Sequence, residues 1–285
     1  MISIKELSDK IINEYNTHHG PDGRYVSGGS ASGGTLTAED HKKIDDAAEK
    51  AAGSKTFYLY DRVAEVETAR NAILKSLGIS SEQIKNVDNS VDTWGSIEGR
   101  TKLIVVGNMI NNRAKDSGMD SEMAQHYNAN KTKFNIQSAE LKVFSAYARF
   151  NQSYMEKKFG SEMELYRGVG GKQAKELGQS ARAGKKVELN INGLTSFTHS
   201  SDIADKYAKV LQESTAKDIK GVSLKATINS NQIFTSYATS STMAKWGNNE
   251  IIVMRGKTPT ISATIAKIHK TTKSDLTDMA FGNFP

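Results

Sequence analysis

The sequence predicts an α+β fold, in which a helical N-terminal region precedes a β-rich C-terminal region. Apolar residues recur at three- and four-residue steps from about Thr37 to Lys158, which is the spacing of amphipathic helices. No proline interrupts this stretch. From about Glu164 onwards, short β-prone segments alternate with polar turns, as expected for strands. The order of these two patterns predicts the fold class.

The first 35 residues predict a short helix followed by a linker. Ser3 and Glu6 have the spacing of a capping box, in which each side chain satisfies a free backbone N–H group. The apolar face of this helix comprises Ile4, Leu7, Ile11 and Tyr15. Residues 20–34, GPDGRYVSGGSASGG, predict a flexible linker, because glycine and serine raise the conformational entropy of a chain that has few apolar groups to bury.

Capping patterns and apolar stripes predict several helices between residues 37 and 158. Thr37 and Asp40 have the spacing of a helix cap before residues 38–52. The next helix ends at Gly78, and its apolar face comprises Val63, Val66, Ala69, Ile73 and Leu77. Apolar stripes at 100–114 and 136–158 predict two more helices.

Beyond residue 160 the sequence predicts short strands and one helix. The β-prone segments cover residues 163–167, 187–191, 222–228, 233–235, 250–255 and 260–268. The helix covers residues 201–213, and its apolar face comprises Ile203, Tyr207, Val210 and Leu211. Ser200 or Ser201 is placed to cap this helix. We expect the aromatic side chains of Tyr207 and Phe234 to lie in the core, with the lining of a ligand pocket as the alternative.

Composition and charge exclude several classes of protein. The chain has no cysteine, which excludes disulfide bonds, thiolate metal sites, iron–sulfur clusters and cysteine nucleophiles. The longest apolar runs are far shorter than the roughly 20 residues that cross a bilayer, so we expect no membrane association. The net charge is +6, with 17 Lys and Arg against 9 Asp and Glu from Arg167 onwards. No block of five basic residues occurs, so we expect no nucleic-acid partner.

Three short segments of the β-rich region carry polar groups suited to binding a ligand. Arg167 ends a predicted strand and directly precedes Gly168. The guanidinium of Arg167 can pair with phosphate oxygens. Because Gly168 has no side chain, a ligand can approach the backbone there closely. Ser196 and Thr198 lie on one face of a second strand, and Glu250 begins a third. Each segment also has a purely structural interpretation: an arginine or a glutamate at the surface, or hydroxyls beside a helix cap.

The order and spacing of these segments resemble the R-S-E class of mono-ADP-ribosyltransferases, the clostridial-toxin-like group. Tyr166-Arg167 is similar to the aromatic–arginine pair of that family, and Ser196-Phe197-Thr198 to its Ser-Thr-Ser-type strand. Asn248-Asn249-Glu250 is similar to its motif of Glu or Gln, any residue, and Glu. The resemblance covers about residues 136–268.

The resemblance implies a pair of small, roughly perpendicular β-sheets, which form a β-sandwich-like core with helices on the N-terminal side. It implies that NAD, the substrate, lies in the cleft between them. Arg167 would bind the NAD phosphates, the backbone of Gly168 would hold the nicotinamide amide, and Ser196 would hold the glutamate. Phe197 and Thr198 belong to the same NAD-binding strand, and Phe197 packs either in the core or against nicotinamide.

Glu250 carries the implied chemistry. It would bind the 2′-hydroxyl of the nicotinamide ribose and stabilise the positive charge that develops as the glycosidic bond breaks. Nicotinamide leaves as a neutral molecule, so we expect no metal. Asn248 stands where the family has Glu for arginine acceptors or Gln for other acceptors, so the acceptor is open. Trp246, in the loop 236–249, is interpreted either as an acceptor contact or as a core residue.

The predicted domains are 1–35 (helix and linker), 36–135 (helical region) and 136–285 (ADP-ribosyltransferase domain). The segment FSAYARFNQSYMEKKFGSEMELYRGV resembles the one before the arginine strand in ADP-ribosyltransferase domains carried by phage virion proteins. This resemblance implies a bacterial host protein as acceptor, phage capsid proteins as further partners, and a location in the virion or the host cytoplasm. Two alternatives stay open: a virion structural or interaction protein with an inactive transferase domain, and an NAD glycohydrolase.

Overall fold

A computed structural model describes residues 36–53, 62–170, 174, 177, 183–191, 193–210, 220–245, 247, 249–256 and 260–270. The predicted N-terminal helix, the linker, Trp246 and Asn248 lie outside the described residues. The described residues form helices first and then a sheet with two further helices, which confirms the α+β class. No helix among them is long and apolar enough to cross a membrane.

The described elements include those that the sequence predicts and three further α-helices, Ser81–Asp92, Ser121–Ala129 and Ser241–Lys245. The helices are α1 (Ala38–Ala52), α2 (Val63–Ser76), α3 (Ser81–Asp92), α4 (Ile97–Ile110), α5 (Ser121–Ala129), α6 (Ser138–Phe159), α7 (Ser201–Val210) and α8 (Ser241–Lys245). The strands are β1 (Glu162–Val169), β2 (Lys186–Asn190), β3 (Leu194–Thr198), β4 (Lys220–Asn229), β5 (Ile233–Ser236), β6 (Glu250–Met254) and β7 (Thr260–Lys270).

Capping residues fix where the first helices begin. The backbone N–H of Asp40 donates to Thr37 Oγ1 over 3.1 Å, and the backbone N–H of Thr37 donates to Asp40 Oδ2 over 3.0 Å. The predicted capping box of α1 is therefore confirmed. Helix α3, which the apolar pattern does not predict, begins at a second capping box formed by Ser80 and Gln83.

The seven strands form one antiparallel sheet in the order β2-β7-β4-β1-β3-β6-β5. Eight residue pairs join β1 to β4, and five join β3 to β6. Strands β1 and β3 share a single pair, Tyr166 with Thr198. We call this pair the sheet joint. The resemblance implies two sheets, whereas the described strands are continuous through this joint.

Helix α6 connects the helical region to the sheet through aromatic packing. Phe144 and Tyr147 pack against Phe234 of β5, with ring centroids 6.3 Å and 6.1 Å apart. All three side chains are fully or almost fully buried, which confirms the prediction for Phe234. Burying one such side chain stabilises the fold by about 1.5–3 kcal/mol. One hydrophobic cluster therefore extends from the helices into the sheet.

The prediction that Tyr207 lies on the buried face of helix α7 is wrong. Ala204 and Ala208 are the fully buried side chains of this helix, whereas Tyr207 is 42% exposed. The reason is the close approach of α7 to β1: a Cβ atom added to Gly168 would lie 2.3 Å from the backbone oxygen of Ala204. At this distance only small side chains fit between the helix and the strand, so the tyrosine is turned away from the core.

Candidate active site

The candidate site lies where β1 and β3 separate beyond the sheet joint. An antiparallel register continued past Tyr166 and Thr198 would place Gly168 opposite Ser196, but the two strands are not paired there. Strand β1 instead continues beside β4, with Gly168 opposite Ser223. The separation opens a cleft between the arginine-bearing strand and the serine-bearing strand.

Ser196 and Glu250 meet across the β3–β6 ladder. Thr198 is paired with Glu250 and Ser196 with Ile252, so Ser196 is the diagonal neighbour of the glutamate on the same face of the sheet. The Ser196 hydroxyl donates a hydrogen bond to Glu250 Oε1. The predicted contact between the serine and the glutamate is therefore present in the structure.

Arg167 approaches the same cleft from β1. Its Nη1 donates to the backbone oxygen of Ser196 over 2.6 Å, and the side chain is partly buried. Burial lowers the pKa of Arg167 to about 10, although the charge of Glu250 acts in the opposite direction. The guanidinium therefore remains cationic at neutral pH. Among the described residues it has no ion-pair partner, which suits it to an anionic group of a ligand.

Trp94 is the site residue that the sequence analysis missed. It lies in a single 3₁₀ turn, Thr93–Gly95, between α3 and α4, and its side chain is 8% exposed. Its indole Nε1 donates to Ser196 Oγ and to Glu250 Oε1, each over 3.1 Å. The helical region therefore contributes a donor directly to the serine–glutamate pair.

Helix α4 brings this turn to the sheet. A Cβ atom added to Gly193 would lie 2.7 Å from Cγ2 of Ile104, so the helix packs directly against the start of β3. Gly107 makes a similar approach, since its added Cβ would lie 3.3 Å from Leu194 Cγ. The turn that precedes α4 is thereby held over Ser196.

Two adjoining cavities share the arginine, the serine and the glutamate. One, of about 210 Å³, lies between β1, β3 and α7 and is also lined by Gly168 and Phe197. The other, of about 560 Å³, lies toward the helical region. It is lined in addition by Asp92, Trp94 and Arg100. The exposed ring of Tyr207 borders both cavities.

A larger cavity, of about 760 Å³, lies away from this cluster, between α3, α4 and α6. Amides and hydroxyls line much of it, and two of its charged residues, Lys102 and Glu140, pair with each other over 3.0 Å. We place the candidate active site at the sheet joint because a partly buried cation, which has no ion-pair partner within the described part of the chain, and a carboxylate converge there.

The structure gives the surroundings of some of the remaining predicted residues and leaves the roles of others untested. Phe197 is 2% exposed in the core and also borders the smaller cavity, so both interpretations of it stay open. Thr198 accepts a hydrogen bond from the backbone N–H of Ser200, and Ser200 Oγ accepts one from Ile203 N at the start of α7. The predicted cap by Ser200 is therefore confirmed. The roles of Gly168, Trp246 and Asn248 stay predictions.

The described parts of the chain contain no group of three or more His, Asp or Glu side chains that could hold a metal ion. Comparison with protein-family models, with curated proteins and with solved structures finds no match. The chemistry of the site is therefore argued from its own residues.

Proposed function

We propose that this protein is a mono-ADP-ribosyltransferase that moves ADP-ribose from NAD to a side chain of a bacterial host protein. The observation that carries the proposal is the convergence of Arg167, Ser196 and Glu250 in one cleft. These residues lie 29 and 54 positions apart in the sequence and come from three different strands. The finer architecture, two small sheets around the NAD cleft, belongs to this proposal.

The reaction requires one bond to break and one to form. The glycosidic bond between the ribose C1′ and the nicotinamide nitrogen breaks, and its electron pair leaves with neutral nicotinamide. The acceptor side chain then forms a bond to C1′ and loses a proton. Because positive charge builds on the ribose before the new bond forms, one carboxylate beside C1′ stabilises the transition state more than the ground state. Glu250 supplies that carboxylate.

Arg167 is assigned to the diphosphate of NAD. The guanidinium is partly removed from water and remains charged. Its hydrogen bond in the described structure is to a neutral carbonyl oxygen, that of Ser196. Two phosphate oxygens would supply the planar, bidentate partner that arginine prefers.

The sizes of the two cavities support a ligand with two halves. Pockets for drug-sized ligands have volumes of about 300–1,000 Å³, so the cavity of about 210 Å³ would hold one end of a dinucleotide. The adjoining cavity of about 560 Å³ would hold a larger group beyond Arg167 and Glu250. Tyr207, at the border of both, would lie beside the ligand instead of in the core.

The segment that begins the predicted acceptor loop is anchored beside Glu250. The backbone N–H of Tyr237 donates to the backbone oxygen of Glu250 over 2.9 Å. Arg70 Nη1 of the helical region donates to the backbone oxygen of Thr239 over 2.9 Å. We propose that this anchored segment presents Trp246 and Asn248 to the acceptor.

The test is incubation of the purified protein with labelled NAD and a bacterial lysate. We expect a discrete labelled protein band that is lost in Glu250→Gln, because the amide cannot stabilise the positive charge. Glu188→Gln, which removes an exposed carboxylate from β2, is the matched control and should label like the wild type.

Other outcomes of this experiment decide between the alternatives. Free ADP-ribose without labelled protein would replace the transferase by an NAD glycohydrolase. A folded protein that neither consumes NAD nor binds it in calorimetry would overturn the proposal, and its presence at fixed copy number in phage particles would favour the virion structural protein. Equal labelling by wild type and Glu250→Gln would show that the glutamate is assigned wrongly.

A further inference from the structure

We propose that Trp94 is a positioning residue for Glu250, so that the helical region completes the active site. The effect on catalysis rests on the proposed function, but the contact itself does not. No local motif marks this tryptophan, and the contact joins residues 156 positions apart.

Trp94 and Ser196 act on the same oxygen of the glutamate. The indole N–H lies 3.1 Å from Glu250 Oε1, and the Ser196 hydroxyl donates to that atom as well. The indole also lies 3.1 Å from Ser196 Oγ, so the three side chains form a closed triangle. A glutamate side chain loses rotamer entropy when it is ordered. The triangle orders the carboxylate before a ligand arrives, which removes that loss from the chemical step.

An indole is well suited to this position because it is a neutral donor. A lysine or arginine in its place would also hold the carboxylate, but its positive charge would oppose the charge that develops on the ribose. Arg167, the cation of the cleft, donates to the backbone oxygen of Ser196. The tryptophan therefore orients the carboxylate without neutralising it.

The turn that carries Trp94 is tightly constrained. The backbone N–H and the hydroxyl of Ser96 donate to the backbone oxygen of Thr93 over 2.9 Å and 2.8 Å. Thr93 Oγ1 donates to the backbone oxygen of Asn89 over 3.0 Å. A Cβ atom added to Gly99 would lie 2.0 Å from the same Thr93 oxygen, so α4 closes directly over the turn. This packing fixes the indole to within the small displacements that a positioning role allows.

The same contact could instead inhibit the enzyme, because the indole N–H occupies a lone pair of the carboxylate. The two roles predict opposite effects of removing the N–H group. Positioning predicts slower turnover with little change in the KM for NAD. Inhibition predicts faster turnover or a lower KM.

The test compares Trp94→Phe, which keeps an aromatic ring but loses the donor, with Trp94→His, which restores a neutral N–H group. Once wild-type turnover of NAD is established, we expect Trp94→Phe to lower kcat about 10- to 100-fold, the range found when a residue that orients a metal ligand is lost. KM should stay within about threefold. Trp94→His should recover part of kcat, which a purely structural role would not give. Unchanged or increased kcat in Trp94→Phe, with folding confirmed by circular dichroism, would overturn the proposal.

A second measurement does not depend on activity. The chain has two tryptophans, so the two indole N–H resonances of ¹⁵N-labelled protein can be assigned with Trp246→Phe. We expect Glu250→Gln to shift the Trp94 resonance upfield, because a carboxylate is a stronger acceptor than an amide. An unmoved resonance would disprove the contact. A shifted resonance in a protein that does not turn over NAD would separate failure of the proposed function from failure of this inference.

Discussion

Arg70 and Arg167 have opposite surroundings in this protein. Arg70, in the helical region, is fully buried and pairs with Glu67 and Asp88 over 3.1 Å and 3.0 Å. Arg167, in the sheet, is partly buried, and its described contact is the backbone oxygen of Ser196. Burial alone would lower the pKa of Arg70, but its neighbours, including the carboxylates of Asp88 and Glu67, raise it above the usual value. Burial lowers the pKa of Arg167 to about 10.

The contrast separates a structural cation from a binding cation. The guanidinium of Arg70 also stacks 4.2 Å from the ring centroid of Tyr147 and donates to Thr239, so its charge and several of its donors are used within the fold. Arg167 is partly desolvated, and the charge of Glu250 offsets the effect of burial on its pKa only in part. A desolvated cation of this kind is stabilised when an anion binds.

The largest effect on stability is expected at Arg70. Arg70→Met keeps most of the side-chain volume but leaves Glu67 and Asp88 without their cation. Breaking a buried pair costs about 3–5 kcal/mol, and we expect about 3 kcal/mol because both carboxylates are about one fifth exposed. Urea denaturation measures the loss. Arg62→Met, which removes an exposed partner of Glu65, is the control and should cost less than about 1 kcal/mol.

Arg167→Gln should have little effect on stability and a large effect on NAD binding. Removing a poorly compensated cation should change the free energy of unfolding by less than about 1 kcal/mol. Affinity for NAD should fall about 10- to 100-fold, because a hydrogen bond to a charged group contributes about 1.5–3 kcal/mol. Titration calorimetry measures this loss, with Lys225→Gln, an exposed cation on β4, as the charge-matched control. An unchanged affinity for NAD, or a loss of stability equal to that of Arg70→Met, would remove the distinction between the two arginines.

The smallest effect is expected at His199, a partly buried histidine. Its Nε2 has no hydrogen-bond partner in the described structure, its ring lies 5.0 Å from that of Phe159, and burial lowers its pKa. As the pH falls through about 6.5, this histidine is protonated more readily in the unfolded chain than in the folded protein. Because the unfolded state then binds more protons, the free energy of unfolding decreases as the pH is lowered from 7 to 5. The slope from one histidine is at most about 1.4 kcal/mol per pH unit. His199→Phe should flatten the curve in chemical denaturation, and an unaltered slope would assign the pH dependence to other groups.

Much of the fold can be predicted from patterns among residues that are close in the sequence. Thr37 and Asp40 form the predicted capping box, and the predicted β-prone segments overlap the observed strands. Arg167, Ser196 and Glu250 could be named as a set because the order and spacing of their segments resemble those of a known family. The sheet then brings Arg167, Ser196 and Glu250 together.

Features that depend on distant contacts could not be predicted in this way. Trp94 contacts Ser196 across 102 positions, and Arg70 contacts Thr239 across 169. Nothing in the neighbouring sequence separates either residue from an ordinary core tryptophan or surface arginine. The exposure of Tyr207 depends on Gly168, because the helix comes close enough to β1 to exclude a large side chain only where the strand has no Cβ atom.

The single residue pair of the sheet joint has a mechanical consequence. Arg167 belongs to the β1 side of the joint, and Ser196 and Glu250 belong to the β3 side. A ligand that touches both sides therefore adds a cross-link at the weakest ladder of the sheet. Amide hydrogen exchange would report this directly, because protection gained on binding should concentrate in β1 and β3 and be small in β2 and β7, where a continuous ladder already resists opening.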